Sequence, residues 1–187
     1  SRGERQVEQP GLLETLRRCT VNGRARRRRR GLIGQRYPNM EQSVVVMGVA
    51  GCGKSSLGVA LARAEGARLI EGDEHHSAAN LAKMQRGIPL SDADRAGWLD
   101  ALAAELRAHP TNVVLTCSAL KRAYRERLRA AAPGLRFVFM EIDQDSALAR
   151  IEARRDAHFF SPSLVGSQFA ALELPTGEPG VLRVDAL

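Results

Sequence analysis

The feature that most constrains this chain is the junction of an apolar run with a glycine-rich turn. Residues 44–47 read Val-Val-Val-Met, and residues 48–55 read Gly-Val-Ala-Gly-Cys-Gly-Lys-Ser. The second string matches G-x-x-x-x-G-K-[ST], a pattern that lies between a buried strand and a helix. The β-branched run before it predicts the strand, and residues 56–64, which are rich in leucine and alanine, predict the helix.

This loop has the composition of a phosphate-binding site. Its glycines permit backbone conformations that a Cβ would forbid, so that successive N–H groups converge on anionic oxygens. The helix that follows directs the positive end of its dipole at the same oxygens. Lys54 is expected to reach the β- and γ-phosphates of a nucleotide, and the Ser55 hydroxyl is expected to ligate magnesium. The predicted nucleotide contacts are Gly48, Val49, Ala50, Gly51, Cys52, Gly53, Lys54, Ser55 and Ser56.

Length and composition are typical of one intracellular α/β domain. The chain has 187 residues, of which 44% are hydrophobic, so it can bury a core of that size. Its three cysteines, Cys19, Cys52 and Cys117, are odd in number and lack metal-ligand spacing, which predicts reduced thiols. No apolar stretch approaches the roughly 18 residues of a membrane span, and the N-terminus lacks the core of a signal peptide. We therefore expect a cytoplasmic protein without a membrane partner.

The net charge of +7 belongs to the N-terminal segment. Residues 1–39 hold 11 arginines and 3 glutamates, which leaves 17 of the 28 basic and 18 of the 21 acidic residues for 40–187. The arginine run at 24–30 repels itself and predicts disorder. One interpretation makes it an RNA-binding or targeting arm. We favour a leader outside the domain, because Met40 stands four residues before the first predicted strand as a candidate start. We expect a domain over 40–187 and no specific nucleic-acid partner.

After the first helix, predicted strands and helices alternate along the chain. A βαβ series of this kind builds a parallel sheet, and ligands bind beyond the carboxyl ends of its strands. The later strands are predicted at 67–71, 112–116, 135–142 and 181–184. The later helices are predicted at 77–86, from Ser91 through Leu106, from Leu120 to Pro133, at 145–155, and from Ser161-Pro162 onward.

Three charged residues follow predicted strands closely enough to reach such a site. Asp73 comes directly after the second strand, and a functional carboxylate is favoured there over a solvated turn. Lys121 and Arg125 begin the helix after the third strand, and we expect them to contact substrate or phosphate. By contrast, the stripe that contains Trp98 at helical spacing predicts core and needs no cofactor to explain it.

Several further strings resemble those of the gluconokinase family. Two of them are specific, namely Gly-Ile-Pro-Leu at 87–90 and Cys-Ser-Ala-Leu-Lys at 117–121, whereas the phosphate loop alone is shared by many nucleotide-binding proteins. The match runs from about residue 44 to residue 185. The other strings lie at 71–76, 79–84, 94–99, 122–125, 158–160 and 167–169.

The resemblance implies a three-layer P-loop kinase fold, α/β, with a five-stranded parallel sheet like that of nucleoside monophosphate kinases. It also implies ATP and Mg²⁺ as cofactors, transfer of phosphate to the 6-hydroxyl of D-gluconate, and a possible homodimer. Catalysis is then expected from Lys54, Asp73 and Arg125, with Asp73 orienting or deprotonating the acceptor hydroxyl. The expected substrate contacts are Asp73, His76, Lys83, Lys121 and Arg125, and Arg154 is expected to cover the phosphates from a mobile lid.

The chain also departs from the family pattern. Ala50 and Cys52 stand where serines are usual, which leaves the backbone cradle intact. Related sequences continue past the fifth strand into a loop and a final helix, whereas only Ala186 and Leu187 follow Asp185 here, so we expect that element to be missing. Two other functions stay open on the residues alone. One is a different small-molecule P-loop kinase, acting on a shikimate-like or adenylylsulfate-like acceptor or on a nucleotide. The other is a nucleotide-dependent binding protein with an RNA-seeking arginine arm.

Overall fold

The computed structural model describes residues 40–153 and 161–186, in which strands and helices alternate as predicted. The strands are β1 (Val44–Met47), β2 (Arg68–Glu71), β3 (Val113–Cys117), β4 (Arg136–Glu141) and β5 (Val181–Asp185). The helices are α1 (Lys54–Glu65), α2 (Ala78–Gln85), α3 (Asp92–Ala108), α4 (Arg122–Ala131), α5 (Gln144–Glu152) and α6 (Leu164–Ala171), with a 3₁₀ turn at Gly72–His75. The predicted leader at 1–39, Cys19 and the predicted lid residue Arg154 lie outside the described residues.

The five strands form one parallel sheet in the order β2-β3-β1-β4-β5. This confirms the predicted fold class. Strand β1 occupies the centre, where Val44 pairs with Val114 on one side and with Arg136 on the other. Because all strands run the same way, the loops after β1, β2 and β3 emerge at one edge of the sheet.

Both faces of the sheet are covered by helices, which is why the central strands are continuous apolar runs. Val45 and Met47 face a cluster built with α3 and α4, whereas Val44 and Val46 face a cluster built with α1, α5 and α6. The predicted stripe on α3 is confirmed as core. Its members Trp98, Leu99, Leu102 and Leu106 are all buried.

Helix boundaries follow the capping chemistry of the sequence at most positions. The Ser77 hydroxyl accepts from the backbone N–H of Asn80, and Ser91 and Asp94 form the predicted capping box. The prediction for α6 was wrong by two residues. Pro162 and Ser163 form a turn, and the helix begins at Leu164; the side chain of Ser163 does not cap it. Among the described residues, no helix combines the length and the apolar character needed to cross a membrane.

Candidate active site

The loop between β1 and α1 needs glycine where it passes closest to its neighbours. Gly48, Gly51 and Gly53 have φ angles of 147°, 83° and 97°, which disfavour other residues. A Cβ on Gly51 would lie 2.6 Å from the carbonyl oxygen of Ala147 in α5. The side chains of Val49 and Cys52 are buried.

The N-terminus of α1 differs from those of α2, α3 and α5. In those three helices, Ser77, Ser91 and Asp143 accept a hydrogen bond from a first-turn N–H. Helix α1 begins after Gly53, which offers no side chain, and its first turn carries no acidic residue. First-turn N–H groups have no partner within their own helix. The end of α1 therefore has the donors and the dipole of an anion site.

Lys54 lies over the same loop. Its ammonium donates to the carbonyl oxygen of Val49 at 2.8 Å and lies 3.9 Å from the Cys52 sulfur. Neither partner carries a formal charge, and the side chain lines the cavity that opens at the loop. No carboxylate in residues 40–153 or 161–186 forms an ion pair with Lys54, so an anion in that cavity would gain an uncompensated cation.

A carboxylate for which the sequence had suggested no role lies beside Ser55. The Ser55 hydroxyl donates to Glu71 Oε2 at 3.1 Å, and Thr116 Oγ1 donates to the same oxygen at 2.5 Å. Glu71 ends β2 and Thr116 pairs with it from β3. A hydroxyl and a carboxylate at this place offer oxygen ligands of the kind that Mg²⁺ binds. In the part of the chain that the structure describes, no group of three His, Cys, Asp or Glu side chains forms a complete metal site.

Asp73, His76 and Arg95 line the same cavity as the loop. Asp73 belongs to the 3₁₀ turn after β2 and is exposed. The structure therefore brings the predicted carboxylate and the predicted phosphate loop to one cavity. Arg150 of α5 and Gln168 of α6 line it as well.

The His76 ring is held in place by Trp98. The two rings stack at 4.7 Å with an interplanar angle of 8°, and Trp98 Nε1 donates to the carbonyl oxygen of Gly72 at 2.7 Å. Burial lowers the pKa of His76 from its ordinary 6.5, and Arg95 and His75 add to this shift while Asp73 opposes it. The imidazole is therefore neutral at pH 7. Its Nδ1 is buried and has no hydrogen-bond partner among the described residues.

Arg95 is a cavity cation that sequence reasoning missed. It lies in the first two turns of α3, and its guanidinium carbon is 6.0 Å from the centre of the Tyr124 ring. None of the carboxylates in 40–153 or 161–186 forms an ion pair with it. Asn80 fixes this part of α3, because its side chain donates to the carbonyl oxygen of Asp94 at 2.8 Å. The position of Arg95 directly after Asp94 of the capping box was the sequence signal that could have pointed to it.

Arg125 requires a correction, since the structure does not bring it to the cavity. Its residue is 1% exposed, and Nε donates to Glu178 Oε2 at 2.9 Å. The remaining donors reach Glu178 again and the carbonyl oxygens of Ala119, Leu120 and Glu173. All of the guanidinium is thereby used, so Arg125 ties α4 to the segment before β5 and has no donor left for a substrate.

Lys121 and Lys83 are also held away from the cavity. Lys121 donates to both carboxylate oxygens of Asp92 at 2.8 Å, and this bond raises the pKa of Lys121. Lys83 donates to Asp94 Oδ1 at 2.6 Å and is the main cause that lowers the pKa of Asp94 from 3.8 to about 2. The structure therefore gives both lysines partners within the protein, and neither lines the cavity.

Comparisons with known proteins identify the family of this chain. A family model described as an AAA domain matches residues 44–173. The thermosensitive gluconokinase of Escherichia coli strain K12 is 40% identical over 149 residues, which are 77% of this chain and 79% of that protein. The gluconokinase of Gluconobacter oxydans strain 621H is 44% identical over 75% of this chain and 80% of its own length.

A solved structure gives the same result in three dimensions. The crystal structure of a gluconokinase from Sinorhizobium meliloti 1021 matches with a TM-score of 0.72 and 46% identity, over 81% of this chain and 85% of that one. The resemblance noted in the sequence is thus confirmed at the level of fold and of family. This chain belongs to the gluconokinase family of P-loop kinases.

Proposed function

We propose that this protein transfers the γ-phosphoryl group of ATP to the 6-hydroxyl of D-gluconate. The observation that carries the proposal is one cavity that is lined both by the uncapped end of α1 and by Asp73, His76 and Arg95. The names of the relatives support gluconate as the acceptor. They favour it over the shikimate-like and adenylylsulfate-like alternatives.

The donor phosphates would be held by the chain's own amides and one cation. The N–H groups at the start of α1 would bind phosphate oxygens, and Lys54 would exchange its bond to Val49 for one to the β- and γ-phosphates. Ser55 and Glu71 would hold Mg²⁺, directly or through water. When bound, that ion would neutralise charge on the transferred group. Arg150 would lie on the donor side, and Arg154 is proposed as a lid residue because of the family resemblance.

Asp73 would prepare the acceptor hydroxyl. Phosphoryl transfer depends on positioning and on stabilising charge, so a carboxylate within reach of the hydroxyl can orient it and take its proton. Asp73 is exposed at the cavity, and among residues 40–153 and 161–186 no group donates a hydrogen bond to its carboxylate that would hold it elsewhere. The neutral His76 ring would exchange hydrogen bonds with the sugar hydroxyls while Trp98 keeps it oriented.

Arg95 would bind the carboxylate of gluconate. A guanidinium that forms no ion pair with the described residues suits a planar anion, which it can bind through two parallel hydrogen bonds. Arg95 would thus supply the cationic substrate contact that the sequence had suggested for Lys121 and Arg125, whose charges are paired inside the protein. We further propose a cytoplasmic location and a homodimer, and we propose no nucleic-acid partner.

The test is an ADP-release assay with ATP, Mg²⁺ and a panel of acceptors. We expect turnover with D-gluconate and a product with a phosphomonoester at C6, identified by ³¹P and ¹³C NMR. The panel contains shikimate, adenylylsulfate, nucleoside monophosphates and D-glucose, which lacks the carboxylate. Faster turnover with any of these than with gluconate would refute the proposed acceptor. Salt-sensitive RNA retention by the protein, without turnover, would support the binding-protein alternative.

A further inference from the structure

One hydrogen bond joins α6 directly to the phosphate loop. Gln168 Oε1 accepts from the backbone N–H of Ala50 at 2.6 Å, across 118 residues of sequence. A backbone N–H can only donate, so the amide oxygen of Gln168 must be the atom that faces Ala50. The orientation of the whole side-chain amide is thereby fixed by chemistry.

The other end of that amide is available to a ligand. Gln168 lines the cavity together with Lys54 and Asp73. In the part of the chain that the structure describes, its Nε2 makes no hydrogen bond, although Oε1 makes a short one. Two N–H donors therefore stand beside the loop, on the cavity side of Ala50.

Helix α6 packs against two different parts of the structure. Leu164 packs with Met84 and Leu90, which belong to the α2–α3 region on the acceptor side. Val165 belongs to the cluster beneath α1, on the donor side. A side chain on such an element keeps its geometry when substrates enter, which is what a group acting on a transition state needs.

We infer that the Nε2 donors of Gln168 bind the oxygens of the phosphoryl group during its transfer. The inference rests on the proposed kinase function and adds a residue to it. Charge spreads over three equatorial oxygens in that transition state, and a donor fixed beside them stabilises it. Lys54 supplies a charge from the loop side, whereas Gln168 supplies neutral donors from α6. The bond to Ala50 keeps those donors in register with the loop.

Two substitutions distinguish this role from a purely structural one, in which Gln168 only holds the loop in place through the bond to Ala50. Gln168→Glu keeps an oxygen that accepts from Ala50 but removes both donors. Gln168→Met removes the oxygen and the donors at similar size. We expect kcat to fall by about 10²-fold in both variants, the usual effect of losing one such donor. Gln144→Glu adds the same charge on the exposed start of α5 and should leave kcat unchanged.

A binding measurement tests the same claim without an acceptor. We expect Gln168→Met to weaken binding of β,γ-imido-ATP by about tenfold while ADP binding changes less than threefold, because only the former carries a γ-phosphate. This ratio is informative even if gluconate proves not to be the acceptor, so the two proposals can fail separately.

Three results would overturn the inference. If Gln168→Glu retains kcat and only Gln168→Met loses it, Gln168 has only the structural role of holding the loop. If both variants retain kcat and the ratio of affinities, it has no part in transfer. If Gln168→Met binds β,γ-imido-ATP more tightly than the parent does, Gln168 occupies a loop N–H that the triphosphate needs.

Discussion

The Ser55 hydroxyl and the Glu71 carboxylate meet at 3.1 Å where the first turn of α1 passes the end of β2. This contact joins the loop residue expected to bind Mg²⁺ to an acidic residue from a neighbouring strand. Thr116 donates to the same carboxylate oxygen from β3 and fixes its position. The metal site that the loop motif predicts thus has a second protein oxygen beside it.

Glu71→Gln should therefore raise the Mg²⁺ concentration needed for turnover. The amide keeps the size of the carboxylate but loses its charge, so we expect a shift of about tenfold or more in half-saturating Mg²⁺. ADP binding without metal should stay near that of the parent. Glu74→Gln, at an exposed position of the adjacent turn, is the matched control. An unchanged Mg²⁺ dependence in Glu71→Gln would exclude Glu71 from the metal site.

Arg95→Gln should weaken the binding of gluconate selectively. Loss of a charged hydrogen-bonding partner costs about 1.5–3 kcal/mol, so KM for gluconate should rise by about 10- to 100-fold. KM for ATP should change little. Arg122→Gln removes an exposed arginine that pairs with Glu126 and serves as the control. A larger KM effect from Lys121→Met than from Arg95→Gln would restore the assignment made from sequence.

Arg125→Met should lower stability and leave substrate binding intact. Breaking a buried ion pair by removing one partner typically costs about 3–5 kcal/mol, and the side chain of Glu178 is only 4% exposed. Arg129 still pairs with Glu178 in that variant, so we expect the lower end of the range. Thermal or urea unfolding measures the loss, with Arg122→Met expected near zero. A fully stable Arg125→Met variant with a raised KM for gluconate would contradict the structural role.

His76 should make stability depend on pH below neutrality. Its pKa is lowered in the folded state, so the unfolded chain binds more protons as pH falls below the ordinary 6.5. Stability contributed by the neutral ring is therefore present above that value and is lost as pH falls toward the lowered pKa. We expect Tm to drop less between pH 7.5 and pH 5.5 in His76→Gln than in the parent, with His75→Gln as the control. Equal drops in the parent and in His76→Gln would show that His76 is not the group responsible.

Local signals in the sequence were sufficient for the sheet and for the phosphate loop. The backbone of 48–55 is determined by motif residues that are close together in the sequence. Capping chemistry at Ser91 likewise sets where α3 begins. The fold and family predictions were confirmed. The roles of Lys54, Ser55 and Asp73 stay predictions, although the structure brings these residues to one cavity.

The features of the site that local sequence patterns did not predict depend on contacts between distant residues. Arg125 follows the buried Tyr124 on α4, and its partner Glu178 lies 53 residues further along the chain, beyond the reach of any local pattern. Arg95 lines the cavity from the start of α3, which Asn80 of α2 anchors through the carbonyl oxygen of Asp94. The hydrogen bond between Gln168 and Ala50 likewise joins residues that are far apart in the sequence, 118 positions from each other. Helical spacing shows which face of a helix is apolar, but it does not show which charges are already paired.

Gluconate phosphorylation at this site is best tested by comparing the parent with Lys54→Met and Asp73→Asn in the gluconate-dependent ADP-release assay. We expect turnover by the parent that requires both ATP and D-gluconate. Lys54→Met should lose turnover and weaken nucleotide binding, because it removes the cation of the phosphate site. Asp73→Asn should bind ATP like the parent and lose at least about 10²-fold in kcat, because only the acceptor hydroxyl is affected. Gluconate-independent ADP release by the parent would contradict gluconate as the acceptor. A parental rate in Asp73→Asn would contradict a role of Asp73 in the transfer.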